Sequence, residues 1–190
     1  LNLDANDVDL CVGCTYKYGN SGPGSPAWLY VSKRVQSELQ VPIQGWFAQD
    51  AQFEMGPVFE RSQTIRGFQI ASPSLMGIRC VQTAFSMIKE AGIDAIAHKA
   101  AVGTQMMIEL YDAWLAPLGI ELNTSRDAKE RGGHISLVHP DAAQICVALR
   151  TISNVIPDYR TPNSIRLAIS PLPTSYVEIW DGFERMRDLV

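Results

Sequence analysis

The fold of this chain is decided by the stretch Cys14-Thr15-Tyr16-Lys17-Tyr18-Gly19-Asn20-Ser21-Gly22-Pro23-Gly24-Ser25-Pro26. It follows the apolar run Val8 to Val12 and sets one lysine, Lys17, between two tyrosines, ahead of a loop dense in glycine and proline. That is a lysine presented at a strand end. A lysine on a solvated surface ordinarily does no more than solvate. Three features point further: the apolar strand before it, the flanking Tyr16 and Tyr18, and a glycine-rich turn that lets backbone approach a ligand closely.

An ε-amine held in partly apolar surroundings loses proton affinity, because desolvation disfavours the charged form. A neutral amine attacks an aldehyde. This is the chemistry of a Schiff-base lysine, above all one that holds pyridoxal 5'-phosphate.

The 190 residues are 46% apolar, enough to bury one core or two small ones. A formal net charge of -4 and the lack of a basic stripe argue against nucleic acid as a partner. No apolar run approaches the roughly 20 residues that cross a bilayer. The first residues, from Leu1, are polar and acidic without a leader-like pattern. The expectation is a cytoplasmic protein with no membrane partner. Cys11 and Cys14 have C-x-x-C spacing, yet Cys80 and Cys146 form no second pair and the three histidines are scattered. A structural zinc site takes four ligands, so no metal is expected. Side chains three apart on a strand face opposite ways, which also argues against a redox pair. Four reduced, mostly buried thiols are expected.

Along the chain, Val8 to Val12 and Ala27 to Val31 read as strands, the second consistent with a sheet buried on both faces. Ser32 to Gln40 reads as a short exposed helix or turn, ended by Pro42. Gln44 to Phe68 has no clear period, and loops of such length are often functional. Ser72-Pro73-Ser74 is a helix entrance, with Ser72 as the simplest cap. Leu75, Ile78, Val81, Phe85 and Ile88 then form an apolar stripe ending near Gly92. A second helix is expected from about Asp94 to Leu115, burying Ile96, Ala100, Met107 and Tyr111. Short strands follow at Ile120 to Leu122 and Ile135 to His139, with a helix from Pro140 through Leu149. Val155 to Tyr159 and Ile165 to Ile169 read as paired strands. A last helix from about Ser175 to Leu189 would bury Val177, Trp180, Phe183 and Met186.

Gly13-Cys14-Thr15-Tyr16-Lys17-Tyr18-Gly19-Asn20-Ser21-Gly22-Pro23-Gly24 resembles the cofactor-lysine segment of kynureninases, which are pyridoxal-phosphate enzymes of the aspartate aminotransferase fold. Further matches follow in the same order: Gly45-Trp46-Phe47, Ser72-Pro73, Arg131-Gly132-Gly133-His134, and Pro162-Asn163-Ser164-Ile165-Arg166 with Pro171-Leu172. The resemblance runs from about Val8 to the C-terminus. It implies an α/β chain of the PLP-dependent transferase-like fold (fold type I). Residues 1–71 would be the C-terminal part of the large cofactor domain, and residues 72–190 a small α+β domain.

The resemblance also assigns roles. Lys17 would be the catalytic lysine that holds the cofactor and moves protons. Tyr16 and Ser72 would contact the cofactor phosphate, although kynureninases more commonly have Asn or Thr at the latter place. Trp46 would reach the cofactor of a neighbouring subunit, making the active site shared within a homodimer. Taken from sequence alone, Trp46 is a core or interface tryptophan. Arg166 would clamp the α-carboxylate of a small amino-acid substrate. The implied reaction is hydrolysis of L-kynurenine or 3-hydroxy-L-kynurenine to L-alanine and anthranilate or 3-hydroxyanthranilate, in tryptophan catabolism and NAD biosynthesis. After Gly45-Trp46-Phe47 many relatives carry Gly-His, where this chain has Ala48-Gln49. In the family the stacked aromatic ring, the pyridine-nitrogen aspartate and most of the phosphate cradle precede the lysine strand, so the chain is expected to be inactive alone. Alternatives are a cysteine desulfurase or aminotransferase of the same fold, or a non-catalytic fragment. His134 and His139 are expected to be structural.

Overall fold

The computed structural model describes residues 3–190. The chain forms two compact units, Leu1–Met87 and Ile88–Val190.

In the first unit, β1 (Leu10–Gly13) and β2 (Trp28–Val31) pair antiparallel with Leu10 opposite Val31 and Gly13 opposite Trp28. The lysine loop is therefore the connection of a hairpin. The expected burial on both faces is not found: Leu10, Val12, Trp28 and Leu29 are exposed, and only Val31 is buried. A two-stranded ribbon has no third strand to share its faces, and among the described residues no layer covers it. Arg34, just past β2, reaches back to Asp9 at 2.6 Å and Asp7 at 2.7 Å and ties the chain's entry to its exit. The stretch from 44 to 68 holds 3-10 turns at Trp46–Ala48 and Ile65–Phe68 and a single bridge between Gln49 and Arg61. Arg66 pins it by donating to the carbonyls of Gln49 at 3.0 Å and Asp50 at 2.6 Å.

Helix α1 (Leu75–Ala91) begins at Ser74, whose Oγ accepts from the amide of Gly77 at 3.1 Å. The cap is thus Ser74 and not Ser72. Its apolar stripe is another correction, since Leu75, Ile78 and Phe85 are exposed while Gly77 and Ala84 are buried. The helix packs through small residues: a Cβ on Gly77 would lie 2.8 Å from the Pro26 ring, so the lysine loop sits hard against it.

The second unit is built on a four-stranded antiparallel sheet in the order β3-β4-β6-β5, where β3 is Glu121–Leu122, β4 His134–Val138, β5 Asp158–Arg160 and β6 Ser164–Ala168. Alternation along its strands sorts the faces. Ile135, Leu137, Ile165 and Leu167 enter one core with Leu115 and, from the helices, Ile108, Leu149, Phe183 and Met186. These helices are α2 (Ile93–Leu110), α3 (Ala142–Thr151) and α4 (Tyr176–Leu189). Helix α2 stops short of the expected Leu115, passing into a π turn at Tyr111–Leu115 and a 3-10 turn at Ala116–Leu118. Widening the helix there buries both Tyr111 and Leu115, and the Tyr111 hydroxyl donates to the Ile120 carbonyl at 3.2 Å. Met107 and Tyr111 are buried as expected, whereas Ile96 and Ala100 are half-buried.

The capping box of Ser175 and Glu178 fixes where α4 starts. From that start Ile179, Phe183 and Met186 point inward; Val177 and Trp180, expected inside, are exposed. Trp180 instead meets Trp114 edge-on at 4.7 Å. Thiol burial is also corrected: Cys146 alone is buried, Cys80 is exposed, and Cys11 and Cys14 are half-buried. Burial pushes the Cys146 thiol up, leaving it protonated and unreactive.

The phase of α4 has a direct test in urea unfolding. Ile179→Ala is expected to cost about 2–5 kcal/mol, and Val177→Ala no more than about 0.5 kcal/mol.

Candidate active site

Two sets of chemistry-bearing residues stand out, one in each unit. In the first, the lysine loop is held by its own backbone. The Thr15 hydroxyl donates to the Pro26 carbonyl at 2.7 Å, and the Thr15 carbonyl accepts from Ser21 N at 3.2 Å. Asn20 N donates to the Lys17 carbonyl at 2.9 Å, closing a tight turn in which Asn20 takes a left-handed conformation, φ 53. Gly19 is required there, because a Cβ would sit 2.3 Å from the Thr15 carbonyl oxygen. This bracing leaves Tyr16, Lys17 and Tyr18 exposed in a row. The apolar enclosure expected for Lys17 is absent among the described residues of its unit. Its Nζ lies 5.5 Å from the centroid of the Tyr16 ring, a placement that suits a cation over a π face. Ser21 Oγ is buried in the same loop without a hydrogen-bond partner among the described residues.

Trp46 is 51% exposed, which removes it from the core. Its indole N–H donates to the Gln52 carbonyl at 2.8 Å and its ring packs edge-on against Phe47 and Phe53. With its donor spent, what Trp46 offers a visitor is its ring. Gly45 before it allows the backbone to pass Ile70, since a Cβ would come within 2.1 Å of that carbonyl oxygen. A concavity of about 360 Å³ lies beside it, lined by Gln44, Gln49, Gln52 and Phe59 among others. Ser72 is exposed just before α1 and, freed of the capping role, keeps its hydroxyl for another use.

In the second unit Arg166 lies at the centre of β6, with Ser136 of β4 on one side and Asp158 of β5 on the other. Its neighbours Ile165 and Leu167 are buried, so Arg166 emerges on the opposite, open face of the sheet, with its side chain 36% exposed. Arg166 Nη2 donates to Asp158 Oδ2, and Arg160 reaches the same oxygen through Nε at 3.0 Å and Nη2 at 2.9 Å. Partial burial pushes the Asp158 carboxyl up, but the Arg160 hydrogen bond and the two guanidinium charges outweigh it and hold the group below the usual carboxylate range. The arginine pair and its shared carboxylate escaped the sequence reading, although the two-residue spacing of Asp158 and Arg160 on one strand was a visible signal.

Arg131 also proves structural in a way its motif did not suggest. It ties the segment before β4 to α2 through Thr104 Oγ1 at 3.0 Å and Gln105 Oε1 at 2.9 Å. His139 accepts from the Asp141 amide through Nδ1 at 3.0 Å, fastening the entrance of α3, while His134 is exposed on the open sheet face. No cluster of three or more His, Cys, Asp or Glu residues suited to a metal occurs among the described residues. Nor is any described helix long and apolar enough to cross a membrane.

Residues 96–186 match the family model of the kynureninase C-terminal domain. Over all 190 residues the chain is 34% identical to a kynureninase of Burkholderia mallei (strain SAVP1), covering 45% of it. The similarity to kynureninases thus extends over the whole chain. A kynureninase of Geobacillus thermodenitrificans is 38% identical over 185 residues, 96% of this chain and 43% of the relative. The chain thus spans a little under half the length of the kynureninases it matches. Among solved structures, the apo cysteine desulfurase of Thermococcus onnurineus NA1 superposes with a TM-score of 0.80 at 15% identity, over 100% of this chain and 48% of the other. A C-DES variant with glycine covalently linked to its PLP cofactor does so with a TM-score of 0.72 at 15% identity, over 100% and 48%. At such identities the likeness is one of fold, and the fold is that of fold type I PLP enzymes.

The separation of cap from candidate ligand at the start of α1 can be measured by urea unfolding. Ser74→Ala is expected to cost about 0.5–2 kcal/mol, and Ser72→Ala less than about 0.5 kcal/mol.

Proposed function

We propose that this chain is the lysine- and arginine-bearing part of a kynureninase. In this reading it serves the pyridoxal-phosphate-dependent hydrolysis of L-kynurenine or its 3-hydroxy form, in the tryptophan catabolism and NAD biosynthesis of a cytoplasm. The observation that carries the proposal is the similarity to a kynureninase over all 190 residues, the stretches that hold the lysine loop and β6 among them.

The residues present fit the cofactor. Lys17 offers an exposed primary amine for the aldehyde, and Tyr16 beside it an exposed phenol for the phosphate. Ser72, its hydroxyl not used as a helix cap, is the second phosphate contact. When bound, the cofactor supplies an electron sink for the bonds broken at the substrate's α- and β-carbons. The protein's own part is positional and acid-base. Lys17 carries the proton to and from the substrate Cα. The Arg166 fork pairs with the α-carboxylate and so selects α-amino acids. Water adds to the γ-carbonyl, the Cβ–Cγ bond breaks, the acyl group leaves as a carboxylic acid, and Cβ takes a proton to become the methyl of alanine. Trp46, with its N–H already bonded, presents its ring to the cofactor of a second subunit, which makes a homodimer the working unit. Residues 1–71 belong to the large domain and 72–190 to the small one. The enclosure that Lys17 lacks is supplied by the rest of the enzyme, and the chain by itself is inactive.

A cysteine desulfurase is the second reading, favoured by the fold match with one. It needs a mobile reactive thiol. Cys146 is buried within α3 with its thiol pushed up, and Cys80 is fixed in α1.

The full-length protein assayed with kynurenine, 3-hydroxykynurenine and cysteine separates these readings. Alanine and an anthranilate should form from one or both kynurenines, and Lys17→Ala should lower kcat by at least about 10²–10⁴-fold. Sulfur release from cysteine without cleavage of either kynurenine would replace the proposal with the desulfurase.

A further inference from the structure

Arg166 does not stand alone on its strand. Register places Asp158 directly across from it on β5, and Arg160, two residues on, shares that strand's face with Asp158. Both guanidinium groups converge on a single oxygen, Asp158 Oδ2. The three groups carry a net charge of +1. Without the carboxylate, two cations would sit side by side with nothing to fix either fork, and cross-strand charge pairs of this kind are what set side-chain direction on a sheet face. A guanidinium has five N–H donors, so one bond to Asp158 orients the fork while leaving it able to take a second carboxylate.

We infer that Asp158 is a positioning residue for substrate recognition: held in turn by Arg160, it aims the Arg166 guanidinium at the α-carboxylate of the incoming amino acid. This rests on the assignment of Arg166 above. Asp158 touches no reacting atom, so its loss weakens binding of the carboxylate in ground and transition states alike and appears in KM with kcat little changed. Its partner Arg160 acts one step further out and has a smaller effect.

The test uses the full-length, cofactor-loaded protein. Asp158→Asn should raise KM for the kynurenine substrate about 10-fold with kcat within about 3-fold. In calorimetric titration without turnover, it should weaken L-alanine about 10-fold while leaving L-alaninamide, which lacks the carboxylate, unchanged. Asp158→Glu should recover most of the loss, and Arg160→Gln should raise KM about 3-fold. A merely structural role would move the thermal midpoint and both ligands together. KM and L-alanine affinity within twofold of wild type in Asp158→Asn, or in Arg160→Gln should the first variant fail to fold, overturn the inference. Arg166→Gln is the control on the underlying assignment: if it leaves L-alanine affinity unchanged, Arg166 is not the carboxylate clamp, and if it abolishes affinity while Asp158→Asn stays within twofold of wild type, only the positioning role falls.

Discussion

Ile165 and Leu167 cannot both enter the core without turning Arg166 to the other face of the sheet. That constraint, the two-residue period of a β-strand, is what gives the second unit a chemical face at all. The core side of β4 and β6 is closed by α2, α3 and α4 over Ile135, Leu137, Ile165 and Leu167. Every residue between them, Ser136 and Arg166 included, is left on the open side. A slip of one residue would bury the guanidinium and expose the core. The apolar pattern therefore fixes the arginine as firmly as any contact it makes.

The first unit solves the matching problem for the lysine by other means. No core holds Tyr16, Lys17 and Tyr18; the loop is braced instead by Thr15 bonded to Pro26 and to Ser21, and by a glycine where a Cβ would strike the Thr15 carbonyl. Its hairpin and α1 leave Leu10, Val12, Leu75 and Met76 exposed. Faces of this kind belong against other protein, which accords with a chain that spans 45% of its kynureninase relative. On this account the lysine is positioned by local geometry and tuned by what surrounds it in the whole enzyme.

The strands and helices were mostly legible in the sequence, because their apolar periods are long and their punctuation is clear. Pro26, Gly92, Pro140 and Pro162 fall between elements as turn residues should. What was not legible depended on partners a single sequence does not display. Trp180 and Val177 fit an apolar stripe, but the capping box at Ser175 set a phase in which Ile179 took the inward place. The stripe of α1 looked like a core face, yet the helix packs by Gly77 and Ala84. Ser72 and Ser74 were equivalent as caps until geometry chose the second. Lys17 was marked as a candidate from its loop, and Arg166 through the family resemblance. Asp158 was not marked, because only the hairpin register brings it opposite Arg166.

The central claim is that Lys17 is the amine that binds the cofactor's aldehyde. Borohydride reduction of the full-length, cofactor-loaded protein, followed by peptide mapping, tests it most directly. The account predicts a pyridoxyl group on the peptide that carries Lys17 and on no other lysine; a label elsewhere, or none on a protein that has bound the cofactor, would contradict it.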